Sequence, residues 1–93
     1  MIVIKKEPWC APEVIEIENE LSALQNAVGG YIEIVPAFGG AVVVCNEEGR
    51  LMGLPYNCHV CGIPFVGTIL ITGTDGEDLA DIPDGILDTL RGW

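Results

Sequence analysis

Tyr31-Ile32-Glu33-Ile34-Val35-Pro36, followed after a short gap by Ala41-Val42-Val43-Val44-Cys45, is the stretch on which the fold turns. In its first half Ile32 and Ile34 alternate with Tyr31, Glu33 and Val35, the period-two pattern of a strand, and Pro36 stops it. The second half is a continuous β-branched run, the composition of a central strand. Phe38-Gly39-Gly40 reads as the turn or short loop between them, and Asn46-Glu47-Glu48-Gly49-Arg50 as a tight turn afterwards. The two halves are expected to pair as an antiparallel hairpin.

Upstream, Met1 to Lys6 reads as a first strand. Val14-Ile15-Glu16-Ile17-Glu18 reads as a second, because Ile15 and Ile17 alternate with Glu16 and Glu18. Pro8 and Pro12 bracket their connection. Asn19 is the expected N-cap of a helix in which Leu21, Leu24 and Val28 recur at helical spacing and Gly29 takes the C′ position, a length of about 15 Å. Downstream, Leu51 to Pro64 has glycines and prolines without a sustained period and is expected to be a long surface loop, where binding residues concentrate. Val66 to Thr72 reads as a strand closed by Thr74-Asp75-Gly76. Asp81 is then expected to cap a last helix with Ile86, Leu87 and Leu90 toward the core. The fold class is α+β: a twisted, mostly antiparallel sheet in the order ββαβββα, with one long helix packed on a face and a short C-terminal helix.

Ninety-three residues fit a single domain, residues 1–93, and 49% apolar content is enough for a packed core. No apolar stretch approaches the roughly 20 residues that span a bilayer, and the N-terminus lacks the pattern of a secretory signal. The expected location is the cytoplasm of the cell that makes it, with no membrane partner. Fourteen acidic residues against four basic ones give a net charge of −10, which repels nucleic-acid phosphates and anionic headgroups over a Debye length of about 8 Å. Direct nucleic-acid binding is therefore disfavoured. The basic residues are scattered, with Lys5 and Lys6 at the start, Arg91 at the end and Arg50 between. An anion site would lean on Arg50, on backbone N–H groups or on a second subunit.

Cys58-His59-Val60-Cys61 is the sharpest motif, since two thiolates at this spacing can share a metal or form a redox disulfide. It is half a zinc site, and completion would draw on His59, Cys10 or Cys45. The bland reading is reduced, structurally incidental cysteines. His59 is the single histidine, and no nucleophile–base–acid constellation emerges, so neither enzyme activity nor a cofactor is expected. Glu16, Glu18 and Glu33 project from strands, while Asp75, Glu77, Asp78, Asp81, Asp84 and Asp88 crowd the C-terminal fifth. They could imitate DNA phosphates, but a solvated face accounts for them as well. Gly29-Gly30 and Gly39-Gly40 do not follow a phosphate-loop spacing. Of the aromatics, Tyr56 with its neighbour Asn57 is best placed in a loop to stack on a base.

The combination of Ile17-Glu18-Asn19, Leu24-Gln25, Val28-Gly29-Gly30-Tyr31-Ile32-Glu33 and Val44-Cys45-Asn46-Glu47-Glu48-Gly49, extended by Leu54-Pro55-Tyr56-Asn57 and Val66-Gly67-Thr68-Ile69-Leu70, resembles a known family. It is a family of small acidic proteins of unknown function encoded by phages and mobile elements of Firmicutes and other gut bacteria. The resemblance covers about residues 13 to 73 and implies an origin in phage or plasmid biology, hence the cytoplasm of a bacterial host, with no established activity. The cysteine pair Cys58 and Cys61 departs from the family pattern.

From that origin follows an expected role in counter-defence. A homo-oligomer would sequester a small nucleotide immune signal, a cyclic dinucleotide or cyclic ADP-ribose derivative, without turnover. Arg50, Tyr56, Asn57 and Asn46 are the expected ligand contacts. Two alternatives stand beside it: an acidic DNA mimic or protein-interaction inhibitor that engages a basic host defence protein, and a small zinc protein using Cys58 and Cys61.

Overall fold

Chain segments extend here where β-branched residues run together or alternate with polar ones, and helix is confined to what lies between. The computed structural model describes residues 1–89. In chain order it contains β1 (Ile2–Lys6), β2 (Glu13–Glu16), α1 (Leu21–Val28), β3 (Ile32–Pro36), β4 (Ala41–Asn46), β5 (Tyr56–Val60), β6 (Ile63–Val66), β7 (Ile69–Asp75), β8 (Asp78–Ala80) and α2 (Ile86–Thr89). The main sheet has the order β2-β1-β7-β4-β3, with β8 added to β7, and every pairing in it is antiparallel. Strands β5 and β6 form a separate two-stranded sheet. The chain is thus α+β with a mostly antiparallel sheet, as expected.

Strand β4 lies between β3 and β7, and all six of its residues are buried. Its run of valines needs no polar alternation because both faces of the sheet are covered. On one face Val3, Val44 and Leu70 pack against Leu24 and Val28 of α1. On the other, Ile4, Val43, Cys45, Ile69 and Ile71 pack against Val60 and Phe65 of the β5–β6 hairpin and Ile86 of α2. The expected hairpin of β3 and β4 is present, with Ile34 opposite Val44.

The helix is shorter than expected. Its eight residues rise about 12 Å. Gly29 ends it in the left-handed region, φ 82°, donating its N–H to the Gln25 carbonyl, as expected of a C′ glycine. Asn19 is not its cap. The Asn19 side chain donates instead to the Leu79 carbonyl at 3.0 Å, and Glu20 holds the N-cap position without a side-chain bond.

The expectation of a long loop over 51–64 is overturned. Its second half is strand: Val60 pairs with Ile63 across a two-residue turn, and Cys61 (φ 52°) and Gly62 (φ 79°) supply the two positive φ angles that a type I′ hairpin turn demands. The strand expected over 66–72 also breaks. The Gly67 N–H reaches the Pro55 carbonyl at 2.7 Å and its φ is 70°, so the chain leaves β6 there and re-enters the main sheet at Ile69. Beyond Asp75 the chain folds back as β8, which the sequence reading lacked. Asp81 caps no helix either, since its carboxylate accepts the Ile2 N–H at 2.8 Å. Ile86 is buried and Leu87 packs against the same cluster, as expected. Leu90 and Arg91 lie outside the described residues. No helix among the described residues is long and apolar enough to cross a membrane.

Candidate functional site

A turn at the end of β1 holds a bulky residue in a backbone conformation that costs it energy. The Cys10 N–H donates to the Glu7 carbonyl at 3.2 Å, which makes Glu7-Pro8-Trp9-Cys10 a β-turn with proline second. Trp9 holds the third position at φ 62°, where a type II turn favours glycine or asparagine. A bulky side chain in that region costs on the order of 1–2 kcal/mol, and no burial offsets it, because Trp9 is 86% exposed. Strain of this kind gathers at binding sites.

Trp9 forms one wall of a groove of about 490 Å³, lined also by Lys6, Cys10, Ala11, Tyr56 and Asn57. That volume falls among those of small-molecule sites, about 300–1,000 Å³. Tyr56, at the start of β5, is 53% exposed, and its hydroxyl shares a 2.6 Å hydrogen bond with Nδ1 of His59. The His59 ring lies tilted against it, centroids 5.5 Å apart, so the phenol is held in place rather than swinging freely.

Lys6 ends β1, and only 3% of it is exposed. Its Nζ donates to the Glu7 carbonyl at 2.8 Å and to Oδ1 of Asn57 at 2.9 Å. Both acceptors are uncharged, and an ammonium has three N–H bonds to give. The ion pair present among the described residues is Lys5 with Glu7, at 2.9 Å, and the Glu7 carboxylate raises the Lys5 pKa through that bond. Lys6 therefore pairs with no carboxylate among the described residues. It bears instead on Cys58: burial pushes that thiol up and the Lys6 charge opposes the push.

The expected ligand residues separate. Tyr56 and Asn57 line this groove, whereas Arg50 and Asn46 line another of about 300 Å³ between β3, β4 and β6, where Arg50 donates to the Pro64 carbonyl at 3.2 Å. Asn57 is engaged internally, since both its N–H bonds are given, to the Lys6 and Gly67 carbonyls, each at 2.8 Å. It fastens β5 to β1. Asn46 is likewise turned inward, donating to the Val28 carbonyl at 3.2 Å and accepting from the Glu48 N–H at 2.8 Å. Both amides give their N–H groups within the fold.

The cysteine pair is drawn out along extended chain. At about 3.3 Å per strand residue, Cys58 and Cys61 are separated by roughly 10 Å, beyond disulfide reach. All four thiols are free, and no three His, Cys, Asp or Glu side chains among the described residues gather as a metal site would require. The strand-borne carboxylates also divide: Glu16 lies on β2 and Glu33 on β3, the two opposite margins of the sheet.

Lys6 and Trp9 were not singled out as ligand contacts by the sequence reading. The signal was present in Pro8-Trp9, a proline followed by a bulky aromatic where turn chemistry calls for glycine or asparagine.

Comparison with protein families matches residues 1–92 to the family described as Domain of unknown function (DUF3846), and the chain belongs to it. No curated protein sequence and no solved structure matches the chain.

Proposed function

We propose that this DUF3846 protein is a stoichiometric binder of a small anion bearing a planar ring, a ligand of nucleotide type, seated between Trp9 and Tyr56 with its charge toward Lys6. The observation that carries this reading is the exposed Trp9, held in a strained turn beside the buried Lys6, which has no carboxylate partner among the described residues. A ring stacked on an aromatic side chain gains about 1–3 kcal/mol. An anionic group beside Lys6 would use the third N–H and oppose the general repulsion from a chain of net charge −10. In this reading the ligand is held without turnover, and the hydrogen bond between Tyr56 and His59 serves to position the phenol. We attach to this the setting of a phage or mobile-element accessory protein that withdraws a nucleotide immune signal from its receptor.

The test is calorimetric titration with AMP, a cyclic dinucleotide and ADP-ribose, beside adenosine and ribose 5-phosphate as probes lacking the charge or the ring. We expect one or more of the three nucleotides to bind and to be recovered chemically unchanged by mass spectrometry. Trp9→Ala and Tyr56→Ala should each weaken binding about tenfold, the loss of one stack, and Arg50→Ala should leave it unaltered. Binding that survives Trp9→Ala, or that is lost in Arg50→Ala alone, would place the ligand elsewhere. A panel with no binder rejects the nucleotide class.

A further inference from the structure

The outermost strand on the far side of the sheet is unfinished. Strand β3 pairs with β4 and has no neighbour on its other side among the described residues. The bonds flanking it say which groups are left over: the Glu47 N–H donates to the Tyr31 carbonyl at 2.8 Å and the Ala37 N–H to the Ala41 carbonyl at 3.0 Å. In an antiparallel ladder hydrogen-bonded and non-bonded pairs alternate, so Glu33 and Val35 face β4, and the N–H and C=O groups of Ile32 and Ile34 point outward. Pro36, the next outward position, offers only a carbonyl.

The side chains along this edge are also unspent. Ile34 is 47% and Tyr31 65% exposed. On the face opposite α1, Glu33, Val35 and Glu47 line a groove with Leu51, Ile63 and Pro64; Arg50 also lines it, its guanidinium given to the Pro64 carbonyl. Neither Glu33 nor Glu47 has an ion-pair partner among the described residues.

We infer that β3 is a docking edge for an extended, basic segment of a partner protein, which would add itself as the next strand of the sheet. Main-chain bonds to Ile32 and Ile34 would give affinity, as in strand addition generally. On the groove side, a lysine of the incoming strand would lay its stem over Val35 and Ile63 and bring its ammonium to Glu33 or Glu47. Charge selects this occupant over a second copy of the chain: two molecules of net charge −10 repel on approach, whereas a basic segment is steered in. This surface is separate from the groove at Trp9, and either assignment can fail without the other.

The experiment uses a short peptide of alternating lysine and valine, followed by calorimetry and by hydrogen exchange of the backbone amides. Binding is expected, with slowed exchange at Ile32 and Ile34, and none for a glutamate–valine peptide. Ile34→Pro deletes an outward N–H without touching the β3–β4 ladder and should weaken binding at least tenfold. The matching change on the other edge, Val14→Pro, should not. Glu33→Lys, which leaves the backbone intact, should weaken binding about tenfold and keeps the test decisive if the proline variant fails to fold. No binding of the lysine–valine peptide overturns the proposal, as does binding indifferent to both Ile34→Pro and Glu33→Lys. So does protection of Ile32 and Ile34 without peptide in a protein that sediments as a dimer, which would assign the edge to a second copy.

Discussion

Cys45 stands on β4 with 6% of its surface exposed, its thiol directed at the Glu33 carbonyl 3.7 Å away. Burial, and after it the Glu33 charge, lifts its pKa from 9.0 to about 11. The folded state therefore holds this proton more tightly than the unfolded chain. Its contribution to stability is whole below pH 9 and is lost as pH rises toward 11, at no more than about 1.4 kcal/mol per pH unit. Urea unfolding at a series of alkaline pH values should show that slope in the parent protein, and Cys45→Ala should show a shallower one while starting from lower stability. Equal slopes in the two proteins would mean that the thiol titrates as freely in the fold as outside it. The same residue shows how far sequence reaches: a cysteine inside a valine run is legible as a buried thiol, but Glu33 as its neighbour comes from strand register, which alternation alone does not give.

Among the elements, the β5–β6 hairpin marks where the sequence reading failed and why. Tyr56 to Val60 and Ile63 to Val66 are short strands containing histidine, cysteine and proline, and their turn is written Cys61-Gly62, without the asparagine or aspartate that signals type I′. The β3–β4 hairpin, by contrast, has strong alternation and a run of valines, and it was read correctly from those alone. This difference makes a prediction. Cys61 occupies a left-handed position that asparagine tolerates better, so Cys61→Asn should raise stability by about 0.5–1 kcal/mol, visible as a higher melting temperature. An unchanged or lower value would mean that Cys61 makes contacts in the turn that outweigh the backbone gain. The candidate groove was half legible for the same reason: Tyr56 stood out as a loop aromatic, but it belongs to a strand, and Lys6 reaches it only through the pairing of β1 within the sheet.

For the whole molecule, the acidic residues are spread over both sheet margins and the β7–β8 tip, and nearly all of them are exposed. With a single ion pair among the described residues, most of this charge repels itself. Raising sodium chloride from low to physiological concentration should screen that repulsion and stabilise the fold. A gain of about 1 kcal/mol would lift the melting temperature by roughly 4–8 °C for a domain of this size. A fall in melting temperature with salt would instead show that attraction dominates. The net charge was read from composition; its dispersal over opposite edges required the topology.

The arrangement of β1 against β7 also sets a timetable for the newborn chain. Lys6 pairs with Ile69, so about 60 residues must be made after the first strand before its central neighbour exists, several seconds at roughly 5–20 residues per second. Once made, β4 waits with the backbone N–H and C=O groups of one edge open until β7 arrives to pair with them. A ribosome that stalls before Ile69 leaves a sticky half-sheet in the hands of chaperones, and one that moves on lets the sheet close from its middle.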